Sequence, residues 1–136
     1  MTCKINGALL FDRNLMDAMH TVLSSGDILL PADDAFKVSI MANELGNAFQ
    51  KLDEGRQAIV EKMAIKSSKG RFKKDGEGNL MFEDNKKVEE AVVAHISQEV
   101  ELNCDLLENN FYKNALMKPD MSMTLALLNP IMKKGE

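Results

Sequence analysis

The chain is poor in aromatic residues, in cysteine and in residues that break helices. Its 136 residues include no Trp, one Tyr and six Phe. Two cysteines, Cys3 and Cys104, are too few for a disulfide framework, so we expect free thiols in a reducing compartment. Only three Pro and eight Gly interrupt the chain, which favours helix.

Long apolar runs are missing as well. No segment approaches the roughly 18 apolar residues of a membrane-spanning helix. The N-terminus also lacks the basic flank and apolar core of a secretory signal. The composition, with 45% apolar and 28% charged residues, is typical of a folded protein. We therefore predict one cytoplasmic domain, residues 1–136, without membrane contact.

Charge is unevenly distributed, although the whole chain carries a net charge of only −4. Residues 62–74 contain six basic side chains and no acid, whereas residues 75–112 contain ten acids and two bases. Two solvated segments explain this pattern; a loop that contacts nucleic-acid phosphate and a docking surface for a charged protein are alternatives. Because the chain is acidic and the basic segment has one aromatic residue, Phe72, we do not expect a nucleic-acid partner.

The spacing of apolar residues predicts a mainly α-helical protein. A first helix begins after Asp12, a typical N-cap residue, and ends before Gly26. A second, long helix runs from about Pro31 to about Ile65. Because a helix of this length cannot bury an apolar stripe alone, it needs a partner helix in the same chain or in another subunit. Apolar or small residues follow one another at steps of three and four along it, as a heptad seam: Val38, Met41, Leu45, Ala48, Leu52, Gly55 and Ile59.

The remaining segments complete the predicted fold class: mainly α, a long helix packed in an antiparallel helical hairpin with short flanking helices. Alternating residues 100–102 and the segment 4–11 leave open a two-stranded piece, and the glycine-rich turn leaves open a small β-hairpin. Three parts follow: an N-terminal arm and helix over 1–30, the helical hairpin over 31–98 with its glycine-rich turn at 67–83, and a C-terminal extension with a short helix over 99–136.

Two local features remain open at this stage. Asp84 or Asn85 caps the third helix. Gly46 and Gly55 lie inside the long helix, where each costs about 1 kcal/mol relative to Ala. They either permit close contact with another helix or occupy tolerated surface positions.

Few residues point to catalysis or to a metal. Residues 73–84 resemble a calcium-binding EF-hand loop, but Lys73 stands where the first carboxylate ligand belongs, so we interpret the segment as a polar turn. His20 and His95 have no Cys or His at metal-ligand spacing. Nothing in the local pattern supports a nucleophilic pair of Cys104 and His95. We predict no catalytic residue, no cofactor and no metal, and hence no enzyme.

The ten methionines either fill gaps in the core or form adaptable contact surfaces. Four of them lie in the segment 117–132, whose predicted helix is too short to be stable unless it is docked. We therefore predict a protein partner, with self-association as a further possibility. The predicted partner-binding residues lie on the long-helix seam and in this segment: Val38, Met41, Leu45, Leu52, Ile59, Met121, Met123, Leu127 and Leu128.

The order of these segments resembles an uncharacterised family of small bacteriophage proteins. The likeness covers most of Leu30–Met132. It is carried by the stretches KVSIMANEL and EGRQAIVEK, the turn DGEGN, the extended piece Glu99–Leu102 and a terminal motif from Met121 to Ile131. The resemblance implies a phage product in the host bacterial cytoplasm or in the virion. It implies no activity for particular residues.

We therefore predict a non-enzymatic phage interaction protein, either an assembly factor or a minor virion component, that acts through helix–helix contacts. The alternative is a host-takeover protein whose acidic surface binds and inhibits a bacterial enzyme. The alternative predicts strongly salt-dependent binding, because salt screens charges at exposed surfaces.

Overall fold

The structure is a computed structural model that describes residues 1–134. Its helices are Arg13–Ser24 (α1), Ala32–Met63 (α2), Asn85–Ile96 (α3) and Met121–Ala126 (α4). Its strands are Cys3–Asn6 (β1), Ile28–Leu29 (β2), Glu99–Leu102 (β3) and Leu116–Met117 (β4), and short 3-10 helices span Gly7–Phe11 and Asn129–Ile131. The mainly helical class is confirmed. None of the helices in the described part of the chain is long and apolar enough to cross a membrane.

The chain divides into two compact units. The first unit comprises Met1–Phe49 together with the chain from Glu99 onward, and the second unit is Gln50–Gln98. The first unit has 7 basic and 12 acidic residues, net −5, whereas the second has 10 basic and 9 acidic residues, net +1. The acidity of the chain is therefore a property of the first unit.

Two small antiparallel sheets belong to the first unit. In one, β1 pairs with β3, so that Cys3 lies opposite Leu102. The two-stranded piece that the sequence left open is therefore present, but only residues 4–6 of the segment 4–11 take part in it, since residues 7–11 form a 3-10 helix. In the other, β2 pairs with β4, and Leu29 lies opposite Leu116. The second sheet was not predicted, because strands of two residues are too short to show an alternating pattern.

Side-chain packing shapes the first unit. The Asp12 carboxylate accepts hydrogen bonds from the N–H groups of Asn14 and Leu15, which confirms it as the N-cap of α1. Of the 21 buried apolar residues in the described range 1–134, 18 lie in this unit. Those with no exposed surface at all come from α2 and from the C-terminal segment: Val38, Met41, Leu45, Leu128 and Ile131.

In the second unit α3 packs on α2 through one close contact. The Nε2–H group of His95 donates a hydrogen bond to the Leu52 carbonyl, at 3.0 Å. A Cβ atom added to Gly55 would overlap the His95 ring, whereas one added to Gly46 would meet nothing within 4 Å. The two glycines therefore play different parts: Gly55 permits close contact between helices, and Gly46 is a tolerated surface position.

The core of the second unit is small. Only Leu52, Ala64 and Val88 are buried apolar residues there. Asp84 is the N-cap of α3, since its carboxylate accepts the N–H groups of Lys86 and Lys87. Hydrogen bonds of the backbone and of capping side chains thus shape much of this unit.

Candidate functional site

The nine predicted partner-binding residues divide into buried and exposed ones. Ile59 is half-buried, whereas Met123 is 80% exposed and Leu127 is 45% exposed. The other six belong to the internal packing of the chain and present no surface to a partner: Val38, Met41, Leu45, Leu52, Met121 and Leu128. The exposed residues of the C-terminal segment remain the candidates.

Met123 and Leu127 form the first of two exposed apolar pairs. They are four residues apart in helical conformation, so they lie on the same side of the last turns of α4. The opposite side of this short helix anchors it, because Met121 and Leu125 are buried. The pair is therefore held at the surface by a docked helix.

Leu29 and Leu116 form the second exposed apolar pair. They lie directly opposite each other in the β2–β4 sheet, and 61% and 73% of their surfaces are exposed. Lys118 fixes the end of β4: its N–H donates to the Asp27 carbonyl at 2.9 Å, and its Nζ lies 2.9 Å from the Asp27 carboxylate. Sequence reasoning missed this pair because the partners are 87 positions apart along the chain.

A cavity of about 320 Å³ opens beside the first half of α2. Its walls combine apolar side chains, such as Val38 and Phe111, with the charged side chains of Asp34, Lys37 and Glu108. A volume of this size is at the lower end of that found for small-molecule sites. No local sequence pattern could have revealed this cavity, since its walls come from segments that are distant in the chain.

Three sulfur atoms lie close together around Cys104, which lines this cavity. The Cys104 thiol lies 3.9 Å from the Met41 thioether, and the Cys3 thiol is its neighbour. Burial raises the pKa of Cys3, and burial together with the nearby Cys3 raises the pKa of Cys104 to about 11. Both groups are therefore neutral thiols at pH 7 and poor nucleophiles.

Residues 64–82, which we name the double hairpin, lie between α2 and α3 in the second unit. Three extended segments centred on Ile65, Lys73 and Met81 close into a ring. The N–H of Ile65 donates to Met81 (2.8 Å), that of Met81 to Lys73 (3.1 Å), and that of Lys73 to Ile65 (2.9 Å). Of the two alternatives that the sequence left open for the glycine-rich turn, the isolated antiparallel bridge of Lys74 with Leu80 corresponds to the small β-hairpin.

The two turns of the double hairpin repeat the same geometry eight residues apart. Ser67–Arg71 and Asp75–Asn79 are each closed by a hydrogen bond from the first N–H to the last carbonyl, at 2.7 and 2.8 Å. The fourth residue of each turn is a glycine, Gly70 or Gly78, with φ of +77° or +85°. Side chains other than glycine rarely adopt these angles. The glycine spacing is the one sequence signal that could have revealed the repeat.

The segment that resembles an EF-hand loop uses its first carboxylate internally. Asp75 accepts hydrogen bonds from the N–H groups of Asn79 (3.0 Å) and Glu77 (2.9 Å), and these bonds lower its pKa. Within residues 1–134 no group of three or more His, Cys, Asp or Glu side chains is placed to hold a metal ion. The geometry of this segment is that of a hydrogen-bonded polar turn.

A function for this chain has to be argued from its surfaces, because comparisons with known proteins found no match. No protein-family model, no curated protein and no solved structure matches it. The likeness to small phage proteins stays a prediction.

Proposed function

We propose that this protein is a non-enzymatic interaction protein of a bacteriophage, an assembly factor or a minor virion component that binds a protein partner. The observation that supports this proposal is the exposure of two apolar pairs, Leu29 with Leu116 and Met123 with Leu127, on ordered elements. Apolar surface that is held in place loses little conformational freedom when a partner covers it.

Burial of the two apolar pairs would supply a large part of the free energy that a specific complex needs. Full burial of one Leu or Met side chain contributes about 1.5–3 kcal/mol. Four such side chains therefore offset much of the cost of association, which is about 4–15 kcal/mol. Polar contacts around the pairs would supply the remainder.

The second unit contributes a helical hairpin to this proposal. We infer that α3 runs antiparallel to α2, because His95 near the end of α3 contacts Leu52, while Phe82 just before α3 pairs with Ala64 just after α2. A hairpin of this kind offers further helix surface to a partner, on which Val93 is 51% exposed.

The double variant Met123→Asp/Leu127→Asp tests the proposal. Both side chains are exposed, so the variant should keep the helicity and melting temperature of the wild type. Tagged proteins are isolated from phage-infected bacteria, and the proteins recovered with them are quantified by mass spectrometry. We expect one or a few phage structural proteins with the wild type, and their loss with the double variant.

Leu23→Asp/Phe36→Asp is the matched control, since it places two carboxylates on exposed apolar positions of α1 and α2. It should recover the same proteins as the wild type. An unchanged set of proteins with the Met123→Asp/Leu127→Asp variant would contradict the proposed surface.

Host takeover remains the second candidate, and the net charge of −5 in the first unit favours it. An acidic surface of this kind is complementary to the basic nucleic-acid sites of host enzymes. Host takeover predicts that one host enzyme is recovered in an amount equal to that of the tagged protein. It also predicts that the affinity between the two proteins falls steeply as the salt concentration is raised. Affinity that does not change with salt would exclude this mode of binding.

A further inference from the structure

Six neighbouring basic residues of the second unit are exposed and unpaired. No carboxylate lies within 4 Å of any of them in residues 1–134, although four other cations of the chain, Lys4, Arg56, Lys118 and Lys133, form ion pairs. The unpaired group is the one that the sequence placed in residues 62–74: Lys62, Lys66, Lys69, Arg71, Lys73 and Lys74.

The double hairpin holds five of these cations on a defined backbone. Lys66, Lys73 and Lys74 lie in the extended segments, whereas Lys69 and Arg71 lie in the first turn. The closed ring of backbone hydrogen bonds fixes the spacing of these residues with little help from buried side chains. Cations at fixed spacing on an exposed hairpin are suited to a polyanion that extends along them.

Two further cations lie where the dipole of α3 disfavours positive charge. Lys86 and Lys87 occupy the first turn of α3, where the positive end of the helix dipole repels a cation. The acids of this stretch are fewer than its cations, and in residues 1–134 no carboxylate forms an ion pair with Lys86 or Lys87 within 4 Å. Residues 62–87 thus contain eight basic and four acidic side chains.

An aromatic ring accompanies the cations. Phe72 is 37% exposed, and Nζ of Lys66 lies 5.4 Å from the centre of its ring. An exposed ring beside lysines offers a nucleic-acid base a stacking surface while the lysines contact phosphate. An acidic peptide would use the cations but would gain little from the ring.

We propose that the double hairpin binds single-stranded nucleic acid, with its cations on the phosphates and Phe72 under a base. The acidity of the whole chain had argued against such a partner. The structure weakens that argument, because the excess of acids lies in the first unit and the second unit has a net charge of +1.

The test is a fluorescence-anisotropy titration of the full-length protein. Single-stranded RNA, single-stranded DNA and a DNA duplex of the same sequence are the three labelled probes. We expect at least one of the two single strands to bind more tightly than the duplex. The comparison of the RNA strand with the DNA strand shows which of the two nucleic acids the protein prefers. If about four cations contact phosphate, log K should fall with log salt with a slope of about −3.

Lys69→Glu/Arg71→Glu/Lys74→Glu should weaken binding of the single strand at least tenfold. The matched control, Arg13→Glu/Lys113→Glu/Lys134→Glu, makes the same change in net charge at exposed cations of the first unit. Its affinity should stay within about threefold of wild type, since long-range effects of charge are screened by salt. Equal losses in the two triple variants would overturn the assignment to the double hairpin.

Phe72→Ala tests the stacking. It should weaken binding of the single strand several-fold and leave the salt slope unchanged, because no cation is removed. Circular dichroism checks that the variant is folded. The proposal is overturned if no probe binds at low salt, if the duplex binds as well as the single strands, if Phe72→Ala binds like wild type, or if polyglutamate competes as well as the unlabelled strand.

Discussion

The two units are built from the same kinds of helix and turn but bury very different amounts of side chain. The first unit contains 18 of the 21 buried apolar residues, and the second contains only Leu52, Ala64 and Val88. The second unit depends instead on the backbone ring of the double hairpin and on the N-cap of α3. Since side-chain burial is the larger source of stability, resistance to unfolding should differ between the units.

The units differ in the use of charge as well. In residues 1–134 the first unit pairs three of its seven cations with carboxylates, whereas the second pairs only Arg56, with Asp53, among its ten. Exposed ion pairs contribute little to stability, so neither arrangement decides the fold. Unpaired cations are instead available to a ligand, which is why the poorly packed unit is the better candidate for binding a polyanion.

The largest expected effect contrasts two positions on α2. Leu45→Ala removes a side chain with no exposed surface from the first unit and should lower the free energy of unfolding by about 2–5 kcal/mol. Ile59→Ala removes a half-buried side chain from the second unit and should cost roughly half as much. Urea unfolding followed by circular dichroism measures both. Equal losses would show that the two units are packed alike.

The N-cap residues and the limits of the long helix were predictable from the sequence, because they depend on residues that are close together in the chain. Asp12 is an N-cap as expected, and the long helix ends within two residues of its predicted limits. The pairing of β1 with β3 was left open by the sequence, because residues 100–102 alternate over only three positions.

The candidate sites were less predictable, since they depend on which distant segments meet. A heptad seam looks the same whether its own chain or a partner fills it, and α2 buries Val38, Met41 and Leu45 within the first unit. The exposed pair Leu29 and Leu116 comes from strands too short to carry a pattern. The only sequence signal of the double hairpin is the spacing of Gly70 and Gly78, which are eight residues apart.

A smaller effect, of opposite sign in the two units, is expected for the two glycines of α2. Gly46→Ala should stabilise the protein by about 1 kcal/mol, because Ala is the better helix former and the added Cβ meets open space. Gly55→Ala gains the same propensity but displaces the His95 ring from the Leu52 carbonyl. The lost hydrogen bond and contacts should reverse the sign, to a net loss of about 1 kcal/mol.

A double-mutant cycle isolates this contact. In the background His95→Ala the ring is gone, so Gly55→Ala should stabilise the protein as Gly46→Ala does in the wild type. The measurement is again urea unfolding. If Gly55→Ala remained destabilising without His95, some other feature of α2 would require the glycine.

The smallest effect is expected for the pH dependence of stability that comes from the two thiols, Cys3 and Cys104, which both lie in the first unit. Folding raises the pKa of Cys104 from 9.0 to about 11, so the folded protein retains a proton that the unfolded chain releases near pH 9. Stability should therefore be unaffected by this group below pH 9 and should fall as pH rises from about 9 to about 11. Hydrogen exchange resolved by peptide should show the loss in the first unit.

Cys3→Ser gives the matched test of the cause. Burial is the largest contribution to the raised pKa of Cys104, and Cys3 is the next. Removal of the Cys3 thiol should therefore lower the pKa of Cys104 only in part, and the pH dependence of its alkylation by iodoacetamide should move to lower pH. Mass spectrometry of the Cys104 peptide measures that rate. A pH profile identical to that of the wild type would show that Cys3 does not raise the pKa of Cys104, and would leave burial and the nearby carboxylates of Glu44 and Asp105 as the causes.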